Sequence, residues 1–227
     1  MHIRFFTLTV MFVFGLMACK SGDKPEQSSQ SAAEAAVPYG TSYMLDLPRS
    51  VVKWSASKPT GTHHGIVPVS AGSFSMAEGQ ITGGTVEINM SALEVQDLEG
   101  NRKQNLEAHL KGTTPGKEED FFNVGAYPTA SFTFRPSTPL ENDPAGTHLI
   151  HGDLRIKDIT KPVSFKARLD SSAGKAIKIT SEPFQLDRTE WDIRFKSKKF
   201  FDNLKDDFID DLFTLQLEIG ALEQPAQ

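Results

Sequence analysis

The sequence predicts an all-β protein whose antiparallel sheet closes on itself as a barrel. Between Tyr39 and Leu222, apolar and polar residues mostly alternate with a period of two, which is typical of half-buried strands. Turn residues separate these segments, and only one interval has clear helical spacing. An antiparallel sheet of this size has to close or double over to hide its edges, so we expect one barrel-like domain.

Seven segments carry the alternation of a strand. In the first, Val52, Trp54 and Ala56 share one face. A tight turn at Asp158–Lys161 joins the fourth segment to the fifth. The other six segments are, in chain order, Val86–Met90, Ser131–Arg135, His148–Lys157, Val163–Leu169, Trp191–Phe195 and Phe213–Ile219.

One interval is predicted to be a helix that covers an end of the barrel. In Asn101–Lys111, Leu106 and Leu110 lie four residues apart, and Gly112 supplies a C-terminal stop. Helix and strand compete in Phe200–Leu212, which has apolar residues at three-to-four spacing. We predict a loop or helical turn there that enters a final strand.

The N-terminus predicts export and lipid attachment. A basic segment ends at Arg4, a largely apolar stretch of thirteen residues follows from Phe5 to Met17, and Ala18 precedes the only cysteine. This stretch is too short for a membrane span and reads as a signal peptide. Leu16–Cys19 resembles the bacterial lipobox, so we expect a diacylglycerol anchor on Cys19. The alternative is an ordinary signal peptide followed by a chance cysteine.

These features divide the chain into a signal peptide (1–18), a lipidated flexible tether (19–38), a barrel domain (39–222) and a short tail (223–227). Removal of residues 1–18 deletes Arg4 and no acid, so the net charge changes from −5 to −6. An acidic chain argues against nucleic acid as a partner.

Lys20 and Ser21 lack the aspartate associated with inner-membrane retention, so we expect the outer membrane, with the domain in the periplasm or at the surface.

The sequence supplies no convincing catalytic or metal site. Asp206–Asp211 lacks the glycine and spaced glutamate of a calcium loop. Asp187 and Glu190 flank Arg188, which favours a structural ion pair over a pair of catalytic carboxylates. Two histidine pairs fall on opposite strand faces, which prevents either pair from converging on one metal: His63 with His64, and His148 with His151.

Several segments, taken in order, resemble the YceI-like family. They are Trp54–Gly61, Asp120–Asn123, Tyr127–Phe132, His151–Val163 and Asp187–Trp191, and the resemblance extends from Ser42 to Leu222. It implies an extended, lipocalin-like antiparallel barrel with a helix near its mouth and a polyisoprenoid or similar long lipid in an apolar tunnel. This chain departs from the family at Asp158-Ile159, where a second glycine is common before Thr-Lys-Pro. That departure alters a turn.

The aromatic composition agrees with a tunnel for hydrocarbon. Phenylalanine dominates, with 16 residues against 3 tyrosines and 2 tryptophans, and it adds apolar area without a polar group to satisfy. Alternation alone cannot separate a packed core from a cavity. With the family resemblance, we predict a tunnel lined by Phe121 and Phe122 at the rim and by Trp54, Phe132, Phe134, Phe165 and Trp191 along the wall.

The sequence therefore favours a membrane-anchored, non-enzymatic protein that holds a polyisoprenoid or other long apolar lipid for transport, storage or stress-related sequestration. No cofactor is predicted beyond a bound polyisoprenoid or quinone-like lipid. One alternative is a solid barrel that meets a partner through its acidic surface. Another is an enzyme that uses a quinone, for which His63, His64 and His109 are the polar candidates. Whether the chain forms a homodimer stays open.

Overall fold

Ten strands and one α-helix make up the part of the chain that the structure, a computed structural model, describes: residues 38–172 and 175–225. The predicted signal peptide, most of the tether and the expected anchor Cys19 lie outside the described residues. The elements are β1 (Thr41–Lys58), β2 (Gly61–Ala77), β3 (Gln80–Asn89), β4 (Glu94–Val95), α1 (Gly100–Lys111), β5 (Thr129–Pro139), β6 (His148–Ile156), β7 (Ile159–Ser172), β8 (Ala176–Ser181), β9 (Phe184–Asp187) and β10 (Leu212–Glu223).

Eight of these strands form the predicted closed antiparallel barrel. Going around it, the order is β1, β2, β3, β5, β6, β7, β8 and β10, and β10 pairs back with β1. The two short strands lie off this ring: β4 pairs with the start of β2, and β9 pairs with the start of β10. Closure leaves no long unpaired edge in the ring, which removes the main hazard of an antiparallel sheet.

The long strand β1 bends around the barrel at a bulge. Its pairing with β10 shifts between Asp46 and Val51, and its pairing with β2 shifts between Met44 and Val51. The hydroxyl of Ser50 donates to the carbonyl of Asp46 and accepts from the N–H of Gly220, so the buried serine satisfies backbone groups that the bulge leaves unpaired. Beyond the bulge, Val52 is buried and Trp54 and Ala56 continue on its face, as the alternation predicts.

The two ends of the barrel differ. At the end where β1 begins and β2 finishes, which we call the base, Phe74, Ile81 and Ile150 are almost fully buried. Tyr43 stacks on Phe74 with 5.6 Å between ring centroids, so large side chains fill this end. At the other end, which we call the mouth, the barrel is covered by α1, by the segment 112–128 and by residues 192–211, which we call the mouth loop.

The helix has the predicted position and stop. Gly112 adopts a left-handed conformation with φ of 70°, and its N–H bonds the last turn of α1. The Glu107 carboxylate accepts from the backbone N–H of Val95, which ties α1 to β4. No residue of α1 is fully buried. Within the described ranges, no helix is long and apolar enough to cross a bilayer.

Two local predictions are wrong. Trp191–Phe195 is not a strand, because Arg188–Trp191 forms a 3₁₀ turn capped by Asp187 and Asp192 then turns left-handed with φ of 58°. This turn buries Trp191 and Ile193 on one side, which imitates the alternation of a strand. The turn predicted at Asp158–Lys161 is shorter: Ile156 pairs with Ile159, and only two residues lie between them.

Candidate binding cavity

An apolar cavity of about 110 Å³ lies inside the barrel beneath α1. We call it the interior cavity. Its walls come from inward-facing side chains of the barrel strands, and Leu110, Phe121 and Phe122 cover it from the mouth. Small residues leave the space open: Ala56 on β1 and Ala130 on β5 both line it. Among the described residues, Arg188 is the only charged one along the wall. Such a space favours hydrocarbon over polar groups.

The interior cavity adjoins a larger space at the mouth and a narrow one below. The space above, of about 370 Å³, lies between α1, the end of β1 and the mouth loop, and we call it the vestibule. It shares Trp54, Leu110 and Phe121 with the interior cavity. A cleft of about 20 Å³ lies below and shares Val52 and Leu154 with it. The three spaces therefore follow one another into the barrel.

Trp54 marks the boundary between the interior cavity and the vestibule. It pairs with Gly65 on β2, where an added Cβ would lie 3.0 Å from Trp54 Cε2 and 1.9 Å from the carbonyl oxygen of Glu94. Only glycine leaves room there for the indole. The Trp54 Nε1–H is buried, and no acceptor for it exists within the described residues. An unmatched buried donor of this kind costs free energy unless something supplies an acceptor.

Two histidines line the vestibule, each held by a carboxylate. Nδ1 of His63 lies 2.7 Å from Asp97, and Nε2 of His109 lies 2.7 Å from Asp120. Burial tends to raise the pKa of Asp97, but the hydrogen bonds from the His64 backbone N–H and the His63 ring outweigh it, so the pKa is lowered. Both rings are oriented by these pairs.

The histidines do not assemble into a catalytic or metal site. His64 faces the opposite side of β2 from His63 and lines a shallow groove with Ser55 and Gln96. His109 packs edge-on against Phe121, with 5.0 Å between ring centroids. Among the described residues, no group of His, Cys, Asp or Glu could hold a metal ion.

Arg188 fixes the mouth loop to the barrel. Its buried guanidinium donates to the backbone carbonyls of Ile193, Ile209 and Asp210 and to the carboxylate of Asp211. Burial lowers the pKa of Arg188, and the nearby aspartates oppose that shift. Because every one of these acceptors lies on the mouth loop, the role of Arg188 is structural.

The predicted lining residues fall into three groups. Those at the interior cavity are Trp54, Phe121 and Phe122, and those at the lower cleft are Phe132 and Phe165. The other two are core residues that line none of the three spaces. Phe134 packs on Phe74 and Phe132, and Trp191, at 1% exposure, donates its N–H to the carbonyl of Leu154.

Aliphatic residues supply much of the lining of the interior cavity. The prediction from the sequence named only aromatic residues and therefore missed them. The alternation that includes Val52 and Ala56 is a signal for two of them, because they share a face with Trp54. The helical spacing is a signal for Leu110. No pattern in the sequence points to Ile209, which reaches the cavity from an irregular loop.

Residues 43–221 match the family model described as the YceI-like domain. The chain belongs to the YceI-like family. The UPF0312 proteins of Shewanella denitrificans and of Shewanella sp. (strain W3-18-1) are similar to it, at 30% identity over 96 residues and 31% over 97 residues. These alignments cover 42% and 43% of this chain, and the chain spans 44% of the length of either relative.

Two solved structures have a similar fold. Burkholderia cenocepacia BcnA superposes with a TM-score of 0.59 at 13% identity, covering 78% of this chain and 98% of that protein. A polyisoprenoid-binding domain from Saccharophagus degradans, implicated in plant cell wall breakdown, gives a TM-score of 0.58 at 12% identity, covering 81% and 99%. At such identities the likeness establishes the shared YceI-like barrel.

Proposed function

We propose that this YceI-like protein binds a long apolar lipid of the polyisoprenoid class inside its barrel and acts as a carrier or store and not as an enzyme. The observation that carries the proposal is the interior cavity, whose wall is apolar except for Arg188 and which adjoins the vestibule. Burial of hydrocarbon contributes roughly 25 cal/mol per Å², without any need for positioned charges. The polyisoprenoid-binding domain of similar fold supports this choice of ligand class.

Loading requires the mouth to open, because the interior cavity holds only a few carbon atoms at about 110 Å³. Of the side chains that cover it, Leu110 and Phe122 are only partly buried, whereas Phe121 is buried. No residue of α1 is fully buried. Displacement of α1 therefore costs less than displacement of a barrel strand, and we propose that ligand enters beside it.

The unmatched Trp54 N–H supports a ligand that carries an oxygen near one end, such as a prenol or a quinone. We propose that opening of the mouth uncovers this buried donor, so that an oxygen at one end of the ligand accepts from it while the hydrocarbon lies deeper. The same placement would put the polar end of the ligand in the vestibule, beside His63 and His109.

Native mass spectrometry of the full chain, followed by organic extraction, tests the proposal. We expect a lipid mass on the unsubstituted chain, and we expect Ala56→Trp to lose it, because an indole at position 56 fills the junction of the interior cavity and the vestibule. Ser55→Trp, on the opposite face of β1, is the matched control and should keep the lipid. A bare mass for the unsubstituted chain, even after incubation with membrane lipids, would favour a solid barrel that acts by surface interaction.

We also propose that the protein is exported and anchored through a lipidated Cys19, at the outer membrane. The support is the lipobox-like Leu16–Cys19 after an apolar segment. Metabolic labelling with a radioactive fatty acid should mark the unsubstituted chain and leave Cys19→Ser unmarked. Equal labelling of the two chains would contradict the anchor, and membrane fractionation would show which membrane holds it.

A further inference from the structure

Two adjacent aromatic rings project from the tip of the mouth loop. Phe200 is 46% exposed and Phe201 is 47% exposed, whereas most large apolar side chains of the barrel are buried. A single exposed apolar residue is ordinary, but two neighbouring phenylalanines at one tip form a patch that calls for a partner.

The fold holds these rings outward. The backbone N–H groups of Phe200 and Phe201 both donate to the carbonyl of Ser197, which is fully buried. The Ser197 hydroxyl in turn accepts from the N–H of Lys199. Arg188 fixes the two ends of the mouth loop, and this turn fixes its tip. The exposure of the two rings is therefore part of the folded structure.

Cations lie close to the two rings in sequence. Residues 194–201 include four lysines or arginines and no carboxylate, but Asp192 and Asp202 flank this stretch, and the mouth loop as a whole carries six aspartates against five lysines or arginines. The Arg194 guanidinium lies 4.7 Å from the centroid of Phe200, and the Lys198 ammonium lies 3.3 Å from the centroid of Phe208. Aromatic rings at acyl depth, with cations at the phosphate level, are the combination that binds a phospholipid surface.

The acids of the loop limit the electrostatic attraction. Asp207 pairs with Lys196, Asp187 pairs with Lys199 and Asp192 pairs with Arg194, so three of the four cations are partly neutralised. Lys198 makes no ion pair within the described residues. We therefore expect ring insertion to contribute more than charge, and only a moderate preference for anionic lipid.

The same loop forms part of the vestibule. Phe195, Lys196 and Phe208 line it, and Ile209 reaches the interior cavity. We propose that the mouth loop docks on a phospholipid bilayer by inserting Phe200 and Phe201, which places the vestibule against the membrane. The inference rests on the proposed function. In the docked geometry, a long apolar ligand passes between bilayer and barrel without crossing water.

The geometry permits docking on the membrane that would hold the anchor. The strand β1 leads from the base to the mouth over Thr41–Lys58, which is at most roughly 60 Å. The 19 residues between Cys19 and Tyr39 can span up to roughly 65 Å. The sequence between anchor and barrel is therefore long enough to let the mouth turn toward the membrane.

Depth-dependent quenching tests the docking. The full chain with Phe201→Trp is mixed with phosphatidylcholine–phosphatidylglycerol vesicles that carry brominated acyl chains, and the emission of unsubstituted chain is subtracted to remove Trp54 and Trp191. Met44→Trp is the matched control, because Met44 is 48% exposed on β1 at the base. Binding alone is not informative, since an anchor would bring either variant to the vesicle.

We expect bromine to quench Phe201→Trp at least about twofold more strongly than Met44→Trp. Equal quenching of the two positions, stronger quenching at position 44, or no quenching at all would overturn the proposal. So would a blue shift of Phe201→Trp that grows with protein concentration in the absence of vesicles, because a second copy would then cover the rings. The ligand-mass experiment is independent of all these outcomes, so the two proposals can fail separately.

Discussion

The base and the mouth of this barrel are built from the same alternating strands but are filled in different ways. At the base, Phe74 and Ile81 point into the barrel and leave no space. At the mouth, the strands β1 and β5 carry Ala56 and Ala130, and the space these small side chains leave is part of the interior cavity. The difference shows that the interior of a barrel is packed or contains a cavity according to the size of the inward-facing side chains, and not according to the strand pattern.

The largest expected effect is the contrast between two Phe→Ala substitutions. Phe74→Ala should lower the free energy of unfolding by about 3–5 kcal/mol, because its ring is 1% exposed and packs against Tyr43 and Phe134. Phe122→Ala should lower it by only about 1 kcal/mol, because that ring borders a cavity and has fewer neighbours to lose. Urea unfolding of both variants measures the difference.

Equal losses for the two variants would show that the mouth is packed as tightly as the base, and the comparison would be wrong. Ser73→Ala is the control, because it changes the residue next to Phe74, on the outer face of β2, without removing a buried ring. Its unfolding free energy should stay within about 0.5 kcal/mol of the unsubstituted chain.

The next effect concerns what holds the mouth together. Arg188→Met should lower the free energy of unfolding by about 3 kcal/mol, because it leaves three backbone carbonyls and the Asp211 carboxylate without their donor. Limited proteolysis should cut the mouth loop before any strand. Arg194→Met removes an exposed guanidinium from the mouth loop. It should change the free energy of unfolding by no more than about 0.5 kcal/mol and leave the order of proteolytic cuts as in the unsubstituted chain.

Sequence reasoning finds the barrel and the helix at its mouth but misses the path of the mouth loop, for physical reasons. Strand alternation, the helix that ends at Gly112 and the family resemblance are sufficient for the closed barrel. The mouth loop is irregular although Phe200–Leu212 has helical spacing, since its path depends on a left-handed Asp192 and on Arg188 contacts with carbonyls distant in sequence. Periodicity reports which face of a strand is inside, but it carries no information on whether that inside is full.

The smallest effect is a pH dependence confined to the mouth. The carboxylate of Asp97 accepts from the His64 N–H and the His63 ring, and these bonds lower its pKa below the usual 3.8 despite partial burial. A carboxyl with a lowered folded pKa adds stability at pH values above about 3.8, and this contribution is lost as the pH falls through the lowered value. Below that range, protonation should loosen the contact between Asp97 and β2.

Asp97→Asn isolates this contribution. Compared with the unsubstituted chain, the variant should be less stable at pH 7, and the gap should shrink as the pH falls from about 4 to about 2.5. Asp143, whose pKa is lowered chiefly by its hydrogen bond with Lys166, is the control at the base. Its partner Lys166 is 47% exposed, so solvent weakens the pair, and Asp143→Asn should lose less stability at pH 7 than Asp97→Asn. If the difference in unfolding free energy between Asp97→Asn and the unsubstituted chain stayed constant across the titration, the hydrogen bonds of His63 and His64 to residue 97 would not depend on its charge. The acid sensitivity of the protein would then lie outside the vestibule, and the mouth would respond to pH no more than the base.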